Sequence, residues 1–109
     1  MSFYYYLNDD KTARPCTSQE YGDQRMSMGL NNTKHVGNDM VNGNRVSTVW
    51  LGINHAFDES YGPLLFETMV FADDKTGQDI YMDRYSTWDE AVAGHQKAIE
   101  WVNGGCVDE

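Results

Sequence analysis

Two side chains in this 109-residue sequence sit where chemistry would be expected, His95 and Glu67. Glu67 is the one charged residue in the apolar run 64–72, and His95 is the one polar member of an apolar stripe further along. A carboxylate buried beside an imidazole shifts both pKa values, which is how acid–base pairs are made. With His55 added, the set resembles a ligand or metal constellation, so His55, Glu67 and His95 are the candidate ligand-binding residues. A metal-assisted hydrolase is one reading of them. His55-x-x-Asp58-Glu59 offers further oxygen ligands, but no second cluster completes a coordination sphere, so neither a metal nor a cofactor is expected. The same spacing fits a structural hydrogen-bonded pair, because two His and one Glu on separate elements recur by chance. The sequence has no Gly-x-Ser-x-Gly elbow, P-loop or dinucleotide fingerprint, so no catalytic residue is assigned and an enzyme is the less expected class.

The elements that must hold these residues follow from local signals. Residues 3–7 are aromatic and β-prone, and Asn8, Asp9 and Asp10 end them as turn formers. Pro15, Thr17 and Ser18 open a short helix to about Arg25, and the stretch after it has no clean period. Strands at 33–41 and 45–53 flank Asn42-Gly43, a dipeptide that favours a type I′ hairpin. Val46, Thr48 and Trp50 share one face of the second strand, and Gly52 marks a bulge or a close approach. A loop over 54–63 leads to the run 64–72, which reads as a central strand with both faces apolar. Residues 79–85 return as a more polar strand nearer an edge.

Thr87 and Glu90 form a Thr-x-x-Glu capping box that starts a helix. Trp88, Ala91, Val92, His95, Ala98, Ile99 and Val102 then fall on one helical face, and Asn103-Gly104-Gly105 ends it. A helix packed on the Glu67 face of the central strand would bring His95 to Glu67. Trp101 lies off that stripe beside Gly94 on the helical wheel, where an exposed indole next to a glycine notch would anchor a partner.

The expected fold class is therefore α+β: one domain, 1–109, with an antiparallel meander of four to five strands and one amphipathic C-terminal helix. One helix covers one sheet face. The other must be covered by the segment 11–32, by a second copy in a homodimer, or by a partner.

Charge is unevenly placed. Residues 1–50 carry five acidic and five basic side chains, and residues 51–109 carry twelve acidic and three basic. Such a field repels phosphate backbones, and Tyr4, Tyr5 and Tyr6 have no adjoining cation, so direct nucleic-acid binding is not expected. No run approaches the roughly 20 apolar residues of a membrane span, and no basic-then-apolar leader opens the chain, so a cytoplasmic setting is expected. Cys16 and Cys106, with no CxxC, read as a reduced pair.

Three segments, VSTVWLGINH (46–55), GPLLFETMVF (62–71) and RYSTWDEAVAGH (84–95), which span about half of the chain, resemble a group of small proteins found in phage and prophage genomes. The resemblance implies a phage setting in a bacterial host cell and no mechanism. In that setting the leading expectation is a stoichiometric protein-binding factor that inhibits a bacterial defence system through its acidic C-terminal half. Its partner would be a host or bacterial protein with a basic surface, met by Asp73, Asp74, Asp83 and Trp101. A small-ligand binder, a minor virion component and the hydrolase above are the alternatives.

Overall fold

The computed structural model describes residues 3–31, 33–54, 62–72 and 78–104. The aromatic opening forms β1 (Tyr5–Leu7), which pairs antiparallel with a short β2 (Ala13–Pro15). α1 (Ser18–Asn31) follows. It runs six residues past the expected end near Arg25, and β2 is an element that the sequence reading lacked. The start of α1 had a legible signal: Thr17 Oγ1 accepts from the Glu20 N–H at 3.2 Å and Glu20 Oε1 from the Thr17 N–H at 3.1 Å, a second capping box. Its length did not, because α1 docks through polar anchors rather than an apolar stripe. Gln24 pairs with both the N–H and the C=O of Leu7, at 2.9 and 2.8 Å, and Arg25 Nη1 donates to the Trp50 carbonyl at 2.9 Å.

β3 (His35–Val41) and β4 (Asn44–Trp50) make the expected hairpin. Asn42 and Gly43 have φ of 51° and 81°, the positive pair that a type I′ turn requires. β5 (Phe66–Ala72) and β6 (Gln78–Tyr85) continue a four-stranded antiparallel meander in the order β3-β4-β5-β6, with β6 at an edge. Gly52 is a close approach, as its place in the pattern suggested. Its φ is 75°, and a Cβ there would lie 2.9 Å from the Tyr21 ring and 3.1 Å from Trp50 Nε1.

α2 (Trp88–Asn103) begins at the Thr87/Glu90 capping box and packs on all four strands of the meander. The α+β expectation is what the chain forms: an antiparallel meander with a C-terminal amphipathic helix, accompanied by the small β1-β2 sheet and α1. No described helix is long and apolar enough to cross a membrane.

Alternation turns Val46, Thr48 and Trp50 of β4, and Phe66, Thr68 and Val70 of β5, toward α2, and all six are buried. The face α2 buries is Ala91, Gly94, His95, Ala98 and Val102, rotated by roughly 45° on the helical wheel from the expected stripe. Val92 is consequently 48% exposed. The rotation has a steric cause. Gly94 leaves room for the Tyr85 ring, which a Cβ at that position would strike.

The core forms two apolar clusters. Trp50, Phe66, Leu65, Tyr85 and Ala91 join Leu7 and Met28 in one, and Val46, Val70, Ala98 and Val102 form the other. Gly94→Ala should lower the urea midpoint, because overpacking costs about 1–3 kcal/mol against a gain of about 1 kcal/mol in helix propensity. A midpoint equal to or above wild type would show that Tyr85 can move aside.

Candidate functional site

Thr48, Thr68 and His95 lie between the two apolar clusters and join into one hydrogen-bonded chain. Thr48 and Thr68 are directly paired on neighbouring strands, their hydroxyl oxygens 2.5 Å apart, and both residues are 0% exposed. His95 Nδ1 lies 2.7 Å from Thr48 Oγ1, and its Nε2 lies 2.7 Å from Asp39 Oδ2 on β3. A carboxylate only accepts, so Nε2–H donates to Asp39. Nδ1 and the Thr48 and Thr68 hydroxyls complete the chain, each hydroxyl able to donate or to accept. Gly37, opposite Thr48 on β3, makes the space for this ring: a Cβ there would come within 2.6 Å of His95 Nε2.

Carboxylate, imidazole and hydroxyl stand here in the order used to activate a nucleophile. Access decides against that use. Thr48 is fully buried, its oxygen is already shared between His95 and Thr68, and none of the clefts described below is lined by these residues. The chain is a structural layer that ties α2 to the sheet centre.

Tyr85 closes the layer on its β6 side. Its buried hydroxyl lacks a well-formed hydrogen bond, and burial pushes its pKa up to about 12, with a smaller opposing effect from Thr68 and a small further rise from the charge of Asp83.

Glu67 is on the opposite face. The strand alternation that turns Thr68 toward α2 turns Glu67 away, where Arg84 Nε donates to Glu67 Oε2 at 3.0 Å. The expected meeting of Glu67 with His95 does not occur, because α2 packs on the Thr48/Thr68 face. His55, the third member of that set, lies outside the described residues, as do Asp73 and Asp74. Among the described residues no three His, Cys, Asp or Glu side chains gather as a metal site.

Asp83 is exposed, and it accepts from the Arg84 N–H at 2.9 Å. Trp101 is not the exposed anchor expected. It packs on Tyr81 with ring centroids 5.0 Å apart, its Nε1 is buried, and the notch at Gly94 holds Tyr85. The rotation of α2 turns Trp101 toward the sheet.

The face carrying Glu67 has no described element packed on it. Register places Met40, Arg45, Ser47, Val49, Glu67, Met69, Phe71, Met82 and Arg84 there. Met40 is 55% and Met82 52% exposed. Val49, Met69 and Phe71 are half-buried, and the Arg45 guanidinium lies 4.8 Å over the Phe71 ring. A shallow groove of about 260 Å³ runs between His35, Val49, Met69 and Phe71. Burial first, and then the charges of Lys34 and Arg45, hold the His35 pKa below the ordinary imidazole value.

A second cleft, of about 470 Å³, opens at the start of α2, lined by Tyr5, Pro63, Leu65, Phe66 and Trp88, with Lys11 Nζ 4.8 Å over the Trp88 ring. A third, more polar hollow of about 370 Å³ lies between β1 and α1.

No family model, curated protein or solved structure matches the chain.

Sequence reasoning found His95 and Glu67 but missed Asp39, Gly37 and the two threonines. The signal was present, since Thr48 and Thr68 occupy inward positions of alternating strands, where an unpaired hydroxyl would be costly. His95→Ala should cost about 2–4 kcal/mol in urea unfolding by removing the ring partner of the Thr48 hydroxyl and leaving a cavity beside it, and Thr68→Val about 1 kcal/mol. If His95→Ala matched wild type, the layer would contribute nothing to stability. A second outcome follows from Tyr85, whose raised pKa means that the unfolded chain releases this proton first. Its contribution is complete below about pH 10 and is lost as pH rises toward about 12. Tyr85→Phe should therefore flatten the alkaline fall in stability measured between pH 10 and 11, and an unchanged fall would place its origin elsewhere.

Proposed function

We propose that the chain acts as a stoichiometric protein-binding factor whose contact surface is the uncovered face of the β3–β6 sheet. The observation that carries this reading is the apolar character of that face. On a solvated antiparallel sheet the outward positions are usually polar, yet here Met40, Val49, Met69, Phe71 and Met82 share them with Asn38, Arg45, Ser47, Glu67 and Arg84. Exposed apolar patches of this kind mark interaction sites, and methionine, unbranched and polarisable, adapts to a partner's shape.

The phage setting implied by the three sequence segments makes a host protein the partner class, a component of a bacterial defence system among them. The contact surface moves, in this reading, from the acidic C-terminal half to the sheet face, because Trp101 is packed inward and Glu67 is salt-bridged within the face.

One observation favours a second reading, a small-ligand binder. The cleft beside Trp88 falls in the volume range of small-molecule sites and is walled mainly by apolar side chains. Its polar edge is Lys11, Asp10, Thr12 and Asp89.

Capture of the tagged chain from bacterial lysate, with mass spectrometry of co-purifying proteins and small molecules, separates the two. The binding-factor reading expects one protein in near-equal amount on wild type and on Asp83→Asn, and its loss on Met40→Ser/Met82→Ser. Retention on the methionine variant would remove the sheet face from the reading. A retained small molecule, released by Trp88→Ala, with no protein partner would replace it with the ligand binder.

A further inference from the structure

The open face is charged against the grain of the chain. The sequence holds 17 acidic and 8 basic side chains, yet Lys34, Arg45 and Arg84 border this face against two acidic positions, Glu67 and, opposite Phe71 in the register, Asp79. Arg84 is neutralised by Glu67 at 3.0 Å. Arg45 is held by the Phe71 ring, and Lys34 is exposed beside the groove, so both cations keep their hydrogen-bonding capacity for something outside the described residues. Beyond a distance of about 8 Å in physiological salt, the remaining acidic surface is largely screened, so the local charges govern a docked partner.

Three occupants fit an apolar sheet face, and charge separates them. A second copy laid face to face would set two net-positive surfaces together, which like-charge repulsion opposes. Single-stranded nucleic acid would need several stacking rings, and the described face offers Phe71, already covered by Arg45, and the small imidazole of His35. An acidic polypeptide with apolar side chains meets both features: carboxylates for Lys34 and Arg45, and apolar groups for the methionines.

We propose that this face receives an acidic protein segment studded with apolar side chains, its carboxylates paired with Lys34 and Arg45 and its apolar groups seated on Met69, Phe71 and Met82. The inference rests on the binding-factor reading and names its partner's chemistry. The guanidinium of Arg45 is suited to bidentate pairing with a carboxylate, and its position over Phe71 places that pair at the edge of the groove.

The test titrates the isotope-labelled full chain, at low salt, with a synthetic peptide alternating Glu and Leu, its Lys/Leu counterpart and a single-stranded DNA oligonucleotide, following backbone amide shifts. The Glu/Leu peptide should move signals along β4 and β5 and bind roughly tenfold more weakly to Lys34→Gln/Arg45→Gln. Equal or tighter binding of the Lys/Leu peptide, preference for the oligonucleotide, or the absence of any shift would overturn the proposal. The host protein captured above keeps the two readings apart. If that protein is lost on the methionine variant but retained on Lys34→Gln/Arg45→Gln, the binding factor stands and its acidic partner falls. If it is retained on both variants, both fall.

Discussion

The hydrogen bonds from Thr68 through Thr48 and His95 to Asp39 link the central strands, the C-terminal helix and an edge strand at one point. Apolar contacts alone would let α2 slide or rotate over the sheet at small cost, since Val46, Val70, Ala98 and Val102 present similar surfaces in neighbouring registers. A buried polar layer does not allow this. Displacing α2 by one residue would part His95 from Thr48 and Asp39, leaving Thr48 only its bond to Thr68 and the ring nitrogens without partners, and each such loss is expensive in a low-dielectric interior. The arrangement sits between the two apolar clusters, where β4, β5 and α2 each place a polar residue between apolar ones: Thr48 between Val46 and Trp50, Thr68 between Phe66 and Val70, and His95 between Ala91 and Ala98.

Small residues make that layer possible. Gly37 on β3 leaves the volume that the imidazole fills, and Gly94 on α2 leaves the volume that Tyr85 fills. Both glycines act by missing a Cβ at a close approach, and both lie within helix or strand, where glycine is otherwise unfavourable. The rotation of α2 toward Gly94 then follows, and with it the burial of Trp101 against Tyr81 and the exposure of Val92.

Covering one sheet face with α2 leaves the other to its own side chains. The segment between β1 and β3 does not cover it, since α1 packs by Met28, Gln24 and Arg25 at the Leu7 and Trp50 end of the helix-side core. The open face protects itself in part: the Glu67–Arg84 pair and the Arg45–Phe71 stack lay charged groups over apolar surface. Such a face remains polar enough to meet water and apolar enough to meet a partner, which is why the protein-binding reading attaches to it.

The sequence by itself determined the features that depend on residues close together in the chain. The type I′ turn at Asn42-Gly43, the capping box at Thr87 and Glu90, the alternation in β4 and β5 and the edge position of β6 each arise from dihedral preference or near-neighbour geometry. It also marked His95 and Glu67 as the two unusual side chains. Only the tertiary structure decided that they stand on opposite faces, because the choice of face for α2 turns on whether His95 finds the Thr48–Thr68 pair or Glu67, residues far away in sequence. The length of α1 and the inward turn of Trp101 were decided in the same way. Both depend on fits between distant elements, Gln24 on the Leu7 backbone and Tyr85 against Gly94, and neither leaves a periodic trace in the sequence.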